Sequence, residues 1–271
     1  MGERIYLIDV SSVQKGIDWD RVVEHDPGEA FGRPPGRIRG VVAKASEGSK
    51  GIDGRTREHI AGARLVGLSV GVYHFGRVSG RALEQADHVL ELGHELGDDP
   101  GELPVWLDLE EEGAAARLGG PDAYVDWIVT WCERIEANGY RAGLYTAPVY
   151  GAEWRGARRV EELARWPLWV AQYSRRGAWA PLDTDQPMKL APWKEWAIWQ
   201  FSGGGPGLDG NRVPGVDGWC DLDLVNGGRP AWRGLLGLPE VDPDVDMGGP
   251  VHGTHVVEAA LAERGEPENI A

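Results

Sequence analysis

The 271-residue sequence has few of the residues that build disulfide frameworks or metal sites. It contains two cysteines, Cys132 and Cys220, and neither lies in a Cys-x-x-Cys or comparable metal-ligand spacing. The histidines, including His88 and His94, form no His-Glu-x-x-His pattern. We therefore expect two free thiols, no metal site and no cofactor.

Long apolar runs and basic clusters are also missing. The opening residues Met-Gly-Glu-Arg-Ile-Tyr-Leu-Ile-Asp are too polar for a signal peptide, and no other segment is long and apolar enough to span a membrane. The formal net charge is -15 and no basic stripe is present, which argues against a nucleic-acid partner. The glycine-rich segment 203–218 lacks the Gly-Lys-Ser/Thr of a phosphate-binding loop, so we expect a rim loop there.

Tryptophan, in contrast, is abundant, with 13 residues in a chain that has only 3 phenylalanines. Exposed aromatic rings commonly hold the apolar faces of sugars, but large aromatic side chains also fill protein cores. We expect more than half of the tryptophans to pack in the interior. Hydrophobic residues make up 42% of the chain, enough for a sizeable core.

Short apolar segments alternate with amphipathic ones along the first two thirds of the chain. The pattern predicts helices near residues 18–23, 53–65, 80–96, 124–135 and 158–166. It predicts eight strands, near residues 5–9, 38–44, 69–75, 105–108, 140–146, 168–173, 196–201 and 220–225. Five strand–helix units followed by three more strands predict an α/β fold, a parallel, TIM-like barrel that is irregular in its last third.

Polar and aromatic residues occur where these strands end. In a parallel barrel, the carboxyl ends of the strands and the loops after them line one mouth, where functional groups gather. The residues expected at this mouth are Asp9, Glu47, Tyr73, His74, Asp108, Glu110, Tyr145, Tyr173, Gln200 and Asp221. This concentration of acids and aromatics indicates a functional site.

Asp108 and Glu110 end the apolar run that begins at Pro104. Alternate residues of a strand face the same way, so the two carboxylates should lie side by side, with Cα atoms about 6.5 Å apart. Their mutual repulsion should raise the pKa of one of them and favour proton donation, as in glycosidases. The alternative is a solvated acidic strand exit without a catalytic role.

The C-terminal part of the chain differs in composition. We expect a catalytic barrel over residues 1–228 and, over residues 229–271, an acidic linker rich in Pro and Gly that ends in a short helix near 255–264. The apolar side of that helix suggests docking on the barrel, a particle or a partner protein.

Eight ordered motifs resemble those of the glycoside hydrolase family 25 muramidases, the Chalaropsis-type lysozymes of bacteria and phage endolysins. The resemblance covers roughly residues 5–227. The motifs are Asp9-Val-Ser-Ser-Val-Gln-Lys-Gly-Ile-Asp-Trp19, Lys44-Ala-Ser-Glu-Gly48, Tyr73-His-Phe75, Asp108-Leu-Glu110, Gly143-Leu-Tyr145, Leu168-Trp-Val-Ala-Gln-Tyr173, Trp199-Gln200 and Asp221-Leu-Asp223.

The resemblance implies a flattened barrel and hydrolysis of the β-1,4 bond between N-acetylmuramic acid and N-acetylglucosamine in bacterial peptidoglycan. It makes Glu110 the general acid, and Asp9, Asp108 and Asp221 the other family carboxylates. It also suggests that six residues shape the sugar subsites, namely Tyr73, Tyr145, Tyr173, Trp199, Gln200 and His74.

Several alternatives stay open at the level of sequence. Asp221 and Asp223 share strand parity, so spacing does not choose between them. The second step can use a carboxylate, a water or the acetamido group of the substrate; we favour the acetamido group, oriented by Asp108. Competing functions are a glycan-binding protein without turnover, a chitinase-like glycosidase and a component of a phage or injection particle. We expect synthesis in the cytoplasm, and access to the wall after lysis, through a holin-type pore or on a particle.

Overall fold

A computed structural model of the protein describes residues 3–30, 33–95, 102–174, 186–203 and 213–239. In these ranges one nine-stranded sheet runs in the order β1-β9-β8-β7-β6-β5-β4-β2-β3, and a further pairing between β1 and β2 closes it into an eight-stranded barrel. The strands are β1 (Arg4–Val10), β2 (Gly36–Glu47), β3 (Gly51–Ile52), β4 (Ser69–Phe75), β5 (Val105–Asp108), β6 (Ala142–Thr146), β7 (Leu168–Ala171), β8 (Ile198–Ser202) and β9 (Asp221–Val225). The predicted α/β barrel is confirmed, and the short β3 adds a hairpin to the end of β2.

The last strand corrects the expectation of a parallel barrel. Strands β1, β2 and β4 to β8 pair in parallel, but β9 is antiparallel to both β8 and β1. A parallel strand needs a crossover connection of a dozen or more residues, usually helical, whereas an antiparallel strand can follow a loop. Because β9 runs in reverse, its first residue, Asp221, lies at the mouth where the other strands end.

Helices cover the outside of the barrel. They are α1 (Trp19–Glu24), α2 (Pro27–Ala30), α3 (Thr56–Leu65), α4 (Ala82–Glu95), α5 (Ala114–Leu118) and α6 (Pro121–Ala137), and the segment predicted as a helix at 158–166 forms a 3-10 helix, Val160–Arg165. Helix α6 begins with a proline, which lacks the N–H that a first helical residue would leave unpaired, and it ends before Gly139 at φ +84°.

The alternation of side chains along the strands creates two apolar layers. Residues facing inward fill the barrel, among them Leu7, Trp106 and Trp169. Residues facing outward pack under the helices, among them Leu107, Leu109 and the α6 stripe predicted from its spacing. Nine of the 12 tryptophans in the described ranges are buried, as expected for a mainly structural use of this residue.

A further helix, α7 (Gly228–Leu235), follows β9 directly. Its Trp232 and Leu235 are buried in the inner apolar cluster together with Ile5 of β1. This packed helix lies just beyond the domain boundary expected at residue 228, and the contiguous compact unit extends to Glu240. The division into a barrel and a tail stays a prediction, and the helix predicted near 255–264 lies outside the described residues.

Among the described helices, none combines the length and the apolar character that crossing a membrane requires.

Candidate active site

Strand β5 brings Asp108 to the mouth of the barrel. Its residues Val105–Asp108 are all buried, and Asp108 follows the inward-facing Trp106 by two positions. Asp108 is only 4% exposed, and burial, followed by the neighbouring charge of Glu110, raises the pKa of its carboxyl well above the usual range. The atom Oδ1 of Asp108 is buried and has no hydrogen-bond partner within the described chain.

Glu110 lies just beyond the end of β5 and is partly exposed. Burial raises the pKa of its carboxyl, while a hydrogen bond with Tyr145 lowers it. The charge of Glu110 raises the pKa of Asp108, so the two carboxyls are close enough to interact. They lie at the same site, as strand parity predicts. A partly exposed carboxyl that keeps its proton at higher pH than usual is suited to act as a general acid.

A second acidic group faces this pair across the barrel. Asp9 on β1 and Asp221 on β9 are direct partners in the antiparallel ladder, and their side chains hydrogen-bond each other. The pKa of each carboxyl is raised well above its usual range, first by burial and then by the charge of the other acids in the group. Because neighbouring carboxylates repel each other, ionisation of one makes ionisation of the other less favourable.

Asp223 lies one inward position deeper than Asp221 and is fully buried. Its Oδ1 accepts a hydrogen bond of 2.7 Å from Trp169 Nε1, and burial raises the pKa of its carboxyl well above the usual range. The two acids that sequence spacing did not distinguish therefore occupy different positions. Asp221 is partly exposed at the mouth, and Asp223 is in the barrel interior.

Three predicted site residues form one hydrogen-bonded group between the two acidic pairs. Gln200 on β8 accepts hydrogen bonds at Oε1 from the hydroxyls of Tyr145 (2.9 Å) and Tyr173 (2.6 Å). Its Nε2 donates to Asp9 Oδ2 at 2.7 Å. Gln200 is 2% exposed and Tyr145 is 7% exposed, so this group lies beneath the surface of the mouth and holds the side chains around it in place.

Tyr73 is the third predicted tyrosine that the structure brings to the mouth. Its ring makes an edge contact with that of Trp169, with centroids 6.4 Å apart. Its pKa is raised well above the usual value, first by burial and then by the charges of Asp9 and Asp108. A tyrosine between the two acidic pairs is positioned to contact a sugar bound at the mouth.

Two predicted subsite residues face away from the mouth. Trp199 precedes Gln200 and therefore points outward, where it is fully buried and donates from Nε1 to Gln172 O at 2.8 Å. His74 follows Tyr73 and also points outward; its Nδ1 lies 2.7 Å from Ser46 Oγ and its Nε2 lies 3.0 Å from Gln85 Oε1. Burial lowers the pKa of His74 to about 4. The expectation that these two residues contact substrate does not fit these positions.

Other residues at the site were not predicted from the sequence. Trp169 contacts Tyr145, Tyr73 and Trp106 through its ring, the first at a centroid distance of 4.5 Å. Strict alternation along Leu168–Ala171 would have placed it inside the barrel. Tyr150 is partly exposed at the rim, where burial and the charge of Glu110 raise its pKa.

An ion-pair cluster borders the acidic pair of β5. Glu47 accepts from Lys44 Nζ at 2.9 Å and from Arg77 Nε and Nη2 at 2.9 and 2.6 Å. Both cations also lie over the ring of Phe75. Lys44 and Arg77 favour the ionised form of Asp108 and oppose part of the rise in its pKa. Glu47 was expected at this mouth as a strand end, without an assigned role.

The loop after Glu110 is fixed by two other carboxylates. Glu111 accepts from Val78 N at 2.6 Å and forms a 3.0 Å ion pair with Arg117. Glu153 accepts from the backbone N–H groups of Gly113 and Ala115, each at 2.9 Å. These contacts bind the loop to its neighbours on both sides, so the backbone that carries Glu110 is held in place.

The arrangement provides acids and aromatic rings for chemistry on a sugar. Within the described ranges, no group of three or more His, Cys, Asp or Glu side chains has a geometry that would hold a metal ion. Two acidic pairs on opposite sides of one mouth are the arrangement by which glycosidases protonate a leaving oxygen and stabilise a cationic transition state. The fold and the site together define a barrel glycosidase.

Comparison with known proteins identifies the family. The profile of the glycosyl hydrolases family 25 matches residues 8–208, and the chain belongs to this family. It is therefore a glycoside hydrolase, as the sequence motifs implied. The sequence is also 28% identical over 225 residues to the protein YegX of Escherichia coli strain K12, covering 82% of this chain and 70% of that protein.

Solved structures share the fold. A bacterial lysozyme from Streptomyces coelicolor superposes with a TM-score of 0.66 at 24% identity, covering 88% of this chain and 98% of that one. The CTP1L endolysin gives a TM-score of 0.64 at 20% identity over 87% of this chain and 71% of that one. A family 25 lysozyme from Aspergillus fumigatus gives 0.59 at 24% identity over 86% of this chain and 99% of that one.

Proposed function

We propose that this protein hydrolyses the β-1,4 bond between N-acetylmuramic acid and N-acetylglucosamine in bacterial peptidoglycan, with Glu110 as the general acid. The family assignment supports a glycosidic bond as the target, and the names of the similar lysozymes and endolysins support peptidoglycan as the substrate. The observation that carries the assignment of Glu110 is its partial exposure at the mouth, beside a buried acid, with a raised pKa.

Glu110 begins the reaction by donating its proton to the leaving glycosidic oxygen. The bond from that oxygen to the anomeric carbon breaks, and positive charge develops on the sugar ring. Asp9 and Asp221, on the opposite side of the mouth, stabilise this positive charge electrostatically. Glu110 is left ionised and can then take a proton from the water that completes hydrolysis.

Asp108 has a separate task in this proposal. Its carboxyl turns toward the bound sugar and accepts a hydrogen bond from the N–H of the substrate's 2-acetamido group, for which Oδ1, without a partner in the described chain, has free capacity. That hydrogen bond turns the acetamido carbonyl oxygen toward the anomeric carbon. The carbonyl oxygen then forms a bond to this carbon as the bond to the leaving group breaks. Water then opens the resulting ring, so this route yields a product with retained configuration.

Substitution of the general acid tests the proposal. Glu110→Gln should lower the release of reducing ends from purified peptidoglycan by about 10²–10⁴-fold, because an amide cannot donate the required proton. Glu112→Gln makes the same chemical change at an exposed position two residues away and should retain activity. Equal activities of Glu110→Gln and the unsubstituted protein would show that another group is the acid.

A further inference from the structure

Trp219 differs from the other tryptophans in the part of the chain that the structure describes. Among these tryptophans it alone has an exposed side chain, with an exposed fraction of 47%. Most of the others fill the interior with their rings, as large aromatic side chains commonly do. Packing in the core therefore does not account for a tryptophan at this position.

Trp219 lies at the same end of the barrel as the carboxylates. It precedes Asp221, the first residue of β9, by two positions, so the two Cα atoms are at most about 7 Å apart. Cys220, between them, is buried in the outer apolar layer together with Leu222 of β9. The exposed ring of Trp219 is directed away from that layer. Trp219 is thus a rim residue on the side of the mouth formed by Asp9 and Asp221.

The backbone at Trp219 is held by the loop that follows β1. Gln14 is buried in this loop; its Nε2 donates to the carbonyl oxygen of Trp219 at 2.6 Å, and its Oε1 accepts from Ser11 N at 2.8 Å. Two residues before Trp219, the backbone N–H of Asp217 donates to Gly16 O at 3.0 Å. Because the backbone beneath the ring is already fixed, a ligand that binds the ring orders little of the chain.

Two other large apolar side chains are exposed on neighbouring loops. They are Val13, in the loop after β1, and Ile52 of β3. A hydrogen bond of 2.8 Å from Ser12 N to Asp53 Oδ2 joins the loops that carry them. This part of the rim therefore presents apolar surface to solvent beside a pair of acids.

We propose that the indole of Trp219 is a binding platform for one sugar ring of the glycan strand, next to the ring on which positive charge develops. One face of a hexosamine ring consists of C–H groups, which can pack against an aromatic ring. This contact requires no opposite charge, so it is available to a chain with a formal net charge of -15. The identity of the ligand rests on the proposed function, whereas the exposure and anchoring of the ring do not.

The first test measures binding without turnover. Isothermal titration calorimetry of the Glu110→Gln protein with a tetrasaccharide of alternating N-acetylglucosamine and N-acetylmuramic acid gives the Kd. Adding Trp219→Ala should raise this Kd by about tenfold, because the apolar contact with the sugar is lost. Trp219→Phe keeps an aromatic ring and should stay within about threefold of the parent.

The second test separates binding from chemistry. In protein with Glu110 intact, Trp219→Ala should raise KM for soluble glycan strands by a similar factor and change kcat by less than about twofold. The reason is that a contact with a sugar that does not react acts equally on the substrate and on the transition state. Leu65→Ala is the matched control, since Leu65 is an exposed apolar residue at the end of α3, and both Kd and KM should be unchanged.

Gln14→Met tests the anchoring of the platform. It removes the donor to the Trp219 carbonyl and should raise Kd by about threefold while Trp219 is present. In a Trp219→Ala background it should cause no further change. An equal rise in both backgrounds would contradict the role of Gln14 as the anchor.

Two results would overturn the platform, namely an unchanged Kd in Trp219→Ala, or a Trp219→Phe protein that binds as weakly as Trp219→Ala. Trp219→Gln gives the same comparison if Trp219→Ala does not fold. The platform and the proposed function fail separately. If the Glu110→Gln protein cleaved the tetrasaccharide while Trp219→Ala raised KM, the platform would stand and the assignment of the acid would fail. If Glu110→Gln were inactive and Trp219→Ala left Kd unchanged, the acid would stand and the platform would fail.

Discussion

Asp223 provides a stability test of the acidic barrel interior. Its side chain is fully buried, its Oδ1 is bonded to Trp169, and its carboxyl also interacts with that of Asp9, with which it can share a proton. In Asp223→Asn the amide oxygen can keep the bond from Trp169, and the amide nitrogen can donate to Asp9. The substitution thus removes a buried charge with little change in shape.

The pH dependence follows from the direction of the pKa shift. Folding raises the pKa of Asp223 above its unfolded value of about 3.9, so the folded state binds more protons in the window between these two pKa values. Stability therefore falls as pH rises through that window, by about 1.4 kcal/mol for each pH unit of the shift. Asp223→Asn should be more stable than the unsubstituted protein at pH 7, by about 1.4 kcal/mol or more, and the difference should vanish near pH 4.

Urea unfolding between pH 4 and pH 8, followed by tryptophan fluorescence, measures this difference. Asp122→Asn is a contrasting control, because hydrogen bonds from the Arg158 backbone N–H and side chain lower the pKa of the exposed Asp122. Its substitution should cost stability at neutral pH, with a loss that shrinks as pH falls. If Asp223→Asn were less stable than the unsubstituted protein at pH 7, the reasoning about an unfavourable buried charge would be refuted.

Three further predictions concern packing and the chain end. Gly143→Ala should destabilise the barrel by about 1–3 kcal/mol in urea unfolding, because the added Cβ would lie 2.4 Å from the ring of Trp106. A chain ending at residue 239 should retain the thermal stability of the barrel, whereas one ending at residue 227 loses the buried tryptophan of α7 and should be destabilised by about 3 kcal/mol or more. The two cysteines are buried, and burial raises the pKa of their thiols, so they should react with a thiol reagent only after the protein unfolds. If the folded protein reacted as fast as an exposed thiol does, their buried placement would be contradicted.

The sequence predicted the barrel and its mouth because both depend on local patterns. Apolar strands that end in acids or tyrosines placed Asp9, Asp108, Tyr73 and Tyr145 at one end of the sheet, and the amphipathic spacing of α6 located its helix. The direction of β9 could not be predicted from local patterns, since the orientation of a strand depends on the connection that precedes it. Asp221 reached the mouth by beginning a reversed strand, a different route from that expected.

Side-chain direction was the less predictable part of the site. Trp199 and Gln200 are adjacent, as are Tyr73 and His74, so in each pair only one residue can face the mouth. Family motifs name both residues without separating a sugar contact from a packing contact. The hydrogen bonds of Gln200 and the position of Trp169 depend on strands far apart in the chain, and only the closed barrel brings these groups together.

The reducing-end sugar of the products tests the proposed muramidase activity most directly. Purified peptidoglycan digested with the protein, then reduced with borohydride and analysed by mass spectrometry, should yield muropeptides that end in reduced N-acetylmuramic acid. Their yield should fall by about 10²–10⁴-fold with Glu110→Gln. Products that end in reduced N-acetylglucosamine, or free stem peptides without new reducing ends, would contradict the account.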